Sequence, residues 1–111
     1  MNSPTIRSIQ ERTALVFGVP IEAMTAKGRI QPLVRARQAA MYLSWKLTDN
    51  GPSAIARAFN KHHTTVIHAL GRVPQYRRED PKFKRKLELV ADSLHDPRDN
   101  GPHFPCLPNP A

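Results

Sequence analysis

The sequence predicts an all-α domain, and three observations carry that prediction. Apolar residues recur at three- and four-residue spacing in several separate stretches, the mark of helices with one buried face. Residues that end helices punctuate those stretches, at Gly18-Val19-Pro20, Gly28, Pro32, Asp49-Asn50-Gly51-Pro52 and Pro81. Between Pro52 and Val73 the run PSAIARAFNKHHTTVIHALGRV reads as a helix-turn-helix. Together they give about six helices around one core over residues 1–94. Residues 95–111, DPRDNGPHFPCLPNPA after His95, are rich in proline and asparagine, lack a period, and read as a disordered or loosely docked tail.

Taken in order, residues 3–17 form an amphipathic helix, with Ser3 as cap, Pro4 in the first turn, and Ile6, Ile9 and Leu15-Val16 as its stripe. A short helix from Ile21 to Ala26 turns Ile21 and Met24 inward. Lys27-Gly28-Arg29 is a short basic loop, and loops are where contacts concentrate. The longest helix, Leu33 to Thr48, buries Ala36, Ala39, Ala40, Leu43 and Leu47. Arg35 and Arg37 are expected off that face near the helix N-terminus, which favours anions. Trp45 lies opposite the stripe.

In the helix-turn-helix, Ile55 and Phe59 share an inner face, and Ala56 is small where two helices cross. Asn60 suits a sharp turn because it tolerates the left-handed conformation. Val66, Ala69, Leu70 and Val73 form the buried stripe of the second helix. Thr65, His68 and Arg72 fall on its other face, which carries no acid and can lie against phosphates and base edges. Pro74 and the basic Arg77-Arg78 follow. A last helix, Asp80 to Leu94, buries Phe83, Leu87, Val90 and Leu94, with Lys82, Lys84, Arg85 and Lys86 outside.

Charge points to the class of partner. Lys and Arg number 17 against 9 Asp and Glu, a net charge of +8, with an isoelectric point near 10.4. Residues 27–80 hold ten basic and three acidic residues, so +7 of that excess surrounds the helix-turn-helix. That concentration implies a polyanion. The single Cys106 allows no intrachain disulfide and fits a reducing cytoplasm. No apolar run reaches membrane-span length, and no signal-peptide core opens the chain. His62, His63 and His68 lack the spacing of a metal-ligand pair, and no nucleophile elbow or paired acids mark a hydrolase. Neither a metal, a cofactor nor catalysis is expected.

The blocks VRARQAAMYLSWKLT, PSAIARAFN and HTTVIHALGRV, at these separations, resemble the C-terminal DNA-binding domain of DnaA, the bacterial chromosomal replication initiator. The resemblance covers about residues 5–94. It implies a helical fold like that of the Trp repressor and a double-stranded DNA partner. It assigns a minor-groove contact to Arg29, beside Lys27, and base-edge or backbone contacts to Arg37 and Gln38, near Arg35. His63, Thr64 and Thr65 fall on the start of the family's recognition helix, and His68 and Arg72 on later contacts. Lys61 and His62, in the turn before that helix, complete the expected interface.

Two departures stand out. The family usually places Asp where this chain has His62, and the Asn60-Lys61 turn is one residue shorter. No phosphate-binding loop GxxxxGK[ST] occurs in these 111 residues, so no nucleotide is expected. The expected function is sequence-selective duplex binding at DnaA-box-like sites, regulating replication initiation or transcription without ATPase activity. The alternatives are a module that binds or titrates a replication initiator, through the tail or an exposed Trp45, and an RNA-binding helical domain.

Overall fold

The computed structural model describes residues 5–26 and 31–94. They form five α-helices and one 3-10 turn: α1 Ile6–Phe17, the turn Ile21–Met24, α2 Gln31–Leu47, α3 Pro52–Phe59, α4 His63–Glu79 and α5 Pro81–Leu94. Among the described residues there is no strand, and no helix is long and apolar enough to cross a membrane.

Each boundary has a local cause. Thr5 starts α1: its hydroxyl accepts from the Ser8 N–H, and the Ser8 hydroxyl accepts from the Thr5 N–H, closing a capping box. The expected Ser3 cap and the Pro4 first turn lie outside the described residues. Gly18 ends α1 at φ 72°, a left-handed conformation that costs a glycine little. Pro52 opens α3, where its missing N–H leaves nothing unpaired. Asp80 serves two helices: its N–H closes α4 on the Tyr76 carbonyl, and its Oδ1 accepts from the N–H groups of Lys82 and Phe83 to open α5.

Helix α2 runs through the centre, packed against α1 and α4, while α5 lies across α1 and α4. Ala36, Ala39 and Ala40 are fully buried and let those backbones approach closely. Ile9, Met24, Met41, Leu43, Ile55, Phe59, Val66, Val73, Leu87 and Val90 complete the core. Phe83 sits edge-on to Phe17 (5.7 Å between centroids) and Tyr76 (5.4 Å), joining three helices in one aromatic cluster.

Three sequence expectations change here. Leu15 is 69 % exposed, and the buried line of α1 is Ile9, Gln10, Thr13 and Ala14. Leu15 lies six residues beyond Ile9, one-third of a turn off its line, whereas Val16, seven residues on, completes two turns and packs against the core. The short segment after Pro20 is a 3-10 turn ending at Met24, not a helix reaching Ala26. Helix α4 continues through Pro74 to Glu79 instead of stopping at Val73. Proline's fixed φ is compatible with helix; what it removes is a single hydrogen bond, and the packing of Val73 and Tyr76 on both sides holds the helix together.

Candidate nucleic-acid interface

The turn between α3 and α4 is built as expected. Asn60 adopts φ 57°, ψ 46°, and the following Lys61 N–H returns to the Ala56 carbonyl at 2.9 Å. His62 then caps α4. Its Nδ1 accepts from the Thr64 N–H at 3.2 Å and lies 2.9 Å from the Thr64 hydroxyl. A backbone N–H only donates, so in this contact Nδ1 is the acceptor and the ring proton sits on Nε2. An imidazole thus takes the capping part that an aspartate carboxylate plays elsewhere. The His63 ring lies beside it, 4.5 Å between centroids.

From that cap onward α4 presents one outward surface. His63, Thr64, Thr65, His68 and Arg72 are all exposed, while Val66, Ala69 and Val73 are buried behind them. The first turn carries no acid, and the chain has none from Asp49 until Glu79. Threonine hydroxyls and imidazole nitrogens donate and accept, and the helix N-terminus adds a partial positive charge. The surface can therefore meet phosphates and base edges together.

The other expected contacts divide. Arg35 is half-buried: its guanidinium pairs with Asp80 Oδ2 at 3.1 Å and covers the Tyr76 ring at 4.2 Å. Arg37 is not off the inner face of α2. It is 6 % exposed, its Nε donates to the Ala23 carbonyl at 2.9 Å, and burial pulls its pKa below the usual arginine value. The helical wheel placed it about 100° from Ala36, off the buried stripe, but the 3-10 turn packs over that sector and closes it. Gln38 is half-buried, and its Oε1 has no hydrogen-bond partner among the described residues. Lys61 reaches away from the recognition surface to the carbonyls of Ala26 (2.6 Å) and Thr25 (3.5 Å). Lys27 and Arg29 lie outside the described residues.

Two candidates escaped the sequence reading. Ile67 is 50 % exposed and shares the outer surface of α4 with Thr64 and Gly71. Arg57 is exposed in the last turn of α3. For Ile67 the signal existed, since it lies outside the Val66–Ala69–Val73 stripe; an isoleucine is simply read as core by default.

A family model described as "Bacterial dnaA protein helix-turn-helix" matches residues 6–73. The chain belongs to the bacterial DnaA helix-turn-helix family. It is similar to two proteins named chromosomal replication initiator protein DnaA. That of Enterococcus faecalis is 34 % identical over 95 residues, 85 % of this chain and 21 % of the relative. That of Levilactobacillus brevis is 37 % identical over 91 residues, 81 % of this chain and 20 % of the relative. The chain thus spans about a fifth of the length of these curated relatives. Its counterpart in DnaA is the DNA-binding domain, so the outward surface of α4 stands in the helix-turn-helix of a DNA-binding family. Among the described residues, no group of three or more His, Cys, Asp or Glu side chains is placed to hold a metal ion.

Proposed function

We propose that this DnaA-family domain binds duplex DNA sequence-selectively, with the first turns of α4 in the major groove. The observation that supports this most is the acid-free face of α4, where His63, Thr64, Thr65, His68 and Arg72 point outward together. Thr64 and Thr65 offer methyl groups to thymine and hydroxyls to base edges; His68 and Arg72 lie one and two turns further along, within reach of bases or phosphates. Ile67 adds an apolar contact of the kind a thymine methyl takes. Lys27 and Arg29, on the segment after the 3-10 turn, would enter the adjacent minor groove. The site resembles a DnaA box, altered where His62 replaces an acid. Bound there, the protein regulates replication initiation or transcription by occupancy.

Enrichment of duplexes from a random pool, followed by anisotropy titrations against salt, tests the reading. About five neutralised phosphates give a log–log slope of roughly −4 to −5. Thr65→Ala and His63→Ala should each weaken the enriched site by about 1–3 kcal/mol and random duplex by less. A salt slope near zero, or no enriched sequence, overturns the proposal.

A further inference from the structure

Helix α4 holds two residues that weaken helices, three positions apart, and both open onto one groove. Gly71 is exposed in mid-helix, where glycine is less stable than alanine. A Cβ built there meets nothing within 4 Å, so close packing inside the domain does not require the glycine. Pro74 has no N–H, so the Leu70 carbonyl lacks its usual helical donor. Residues that break a local rule without an internal gain point to function.

The groove they line lies between α4 and α2 and has a volume of about 390 Å³. Its walls are the rings of Tyr42 and Trp45 with Leu70 and Pro74, and Lys46 and Arg78 stand at its rim. Trp45 is 39 % exposed, with the Lys46 ammonium 4.7 Å from its ring centroid. No lining residue is acidic. An apolar floor of this size accepts a bulky side chain, and the cationic rim selects negative charge around it. At about 100° per residue, Leu70, Gly71, Pro74 and Arg78 fall on a flank of α4 about 140° from Thr65, His68 and Arg72. Gly71 borders Thr64 and Ile67 on the same helix, so the groove adjoins the proposed DNA surface, while its aromatic wall stands on α2; it does not depend on that reading.

We infer that this groove docks an acidic protein segment that inserts one aromatic or branched apolar side chain beside Trp45 and Gly71. The test is selection from a random displayed-peptide library on the full chain, with counter-selection on Gly71→Leu. That substitution fills the groove from open space and leaves the fold intact. Selected peptides should be rich in Asp and Glu around a bulky apolar residue, and should shift the emission of Trp45, the single tryptophan. Gly71→Leu, Arg78→Glu and Trp45→Ala should each weaken them by about tenfold or more, while Trp45→Ala, whose side chain stands on α2, keeps its duplex affinity.

Four results would overturn the inference. The first is no enrichment over the Gly71→Leu control. The second is selected peptides that are neutral or basic, or that leave Trp45 emission unmoved. The third is loss of duplex binding in Trp45→Ala, which would give the groove to DNA. The fourth is a dimer that Gly71→Leu converts to monomer, which would give it to a second copy. Failure of duplex binding by the unaltered protein would count only against the proposed function.

Discussion

Arg37→Met separates a structural arginine from a DNA-contacting one. The Arg37 Nε donates to the Ala23 carbonyl at 2.9 Å from a site only 6 % exposed, tying α2 to the 3-10 turn. A hydrogen bond to a charged group contributes about 1.5–3 kcal/mol net, and leaving a buried carbonyl unpaired costs about 1–3 kcal/mol. Methionine keeps the apolar stem and returns the cost of burying a charge, the same cost that lowers the arginine's pKa. The loss should therefore be about 2 kcal/mol, some thirtyfold in the folding equilibrium at 1.4 kcal/mol per decade. For a domain of this size that is about 8–16 °C in Tm. Urea unfolding gives the free energy, and anisotropy at a temperature where both proteins are folded gives affinity for the enriched and a random duplex. Stability should drop while the ratio of the two affinities stays within about twofold. Unaltered stability combined with a collapse of that ratio would refute the reasoning and return Arg37 to the groove of the DNA.

Three further perturbations probe other joints. Lys61→Met removes the ammonium held by the Ala26 and Thr25 carbonyls and should cost about 1–2 kcal/mol in urea unfolding; no change would mean that the tether is idle. His62→Asp keeps an acceptor at the cap and adds a negative charge at the α4 N-terminus, so stability should rise by about 0.3–1 kcal/mol. Duplex selection should also show a changed base preference, and the same enriched sequence would remove His62 from recognition. Burial pushes the Tyr42 hydroxyl above its ordinary value of 10.0, with Arg77 acting in the opposite sense. The folded state then holds that proton longer than the unfolded chain, so stability is intact below pH 10 and declines as pH rises past it. Tyr42→Phe should decline less steeply across that range in denaturation at stepped pH, and parallel curves would show the ring to be irrelevant.

The helix-turn-helix was legible because its signals are local. Ile55, Ala56 and Phe59 obey the helical period, and Asn60 supplies the one non-glycine left-handed residue among the described positions. The exposure of Thr65, His68 and Arg72 follows from the same period once the buried stripe is fixed. What escaped depends on partners distant in sequence. The line buried on α1 is set by α2 and α5, so Thr13 went inward and Leu15 outward. Arg37 looked free because the turn that covers it, Ile21–Met24, lies fourteen residues back along the chain. The passage of α4 through Pro74 was misread for another reason. Proline disfavours a helix interior by a few kcal/mol, and only the Tyr76–Phe83 contact and the Arg35–Asp80 pair show what offsets it.

These differences bear on how a net charge of +8 is read. Three cations expected at the interface are committed within the domain: Arg35 to Asp80 and Tyr76, Arg37 to Ala23, Lys61 to Ala26. Arg35 is neutralised by an acid, and the contacts described above for Arg37 and Lys61 are to carbonyls. A guanidinium or ammonium resting on a carbonyl keeps its charge, and within a Debye length of about 8 Å at physiological salt it still raises the local potential. Such groups draw a polyanion toward the surface without touching it, so they affect association rate and salt sensitivity more than base choice. Under the proposed function, base choice falls instead to the threonine and histidine side chains at the start of α4. The composition of the chain thus points to a polyanion, while under the proposed function discrimination among duplexes rests on a few exposed side chains at the start of α4.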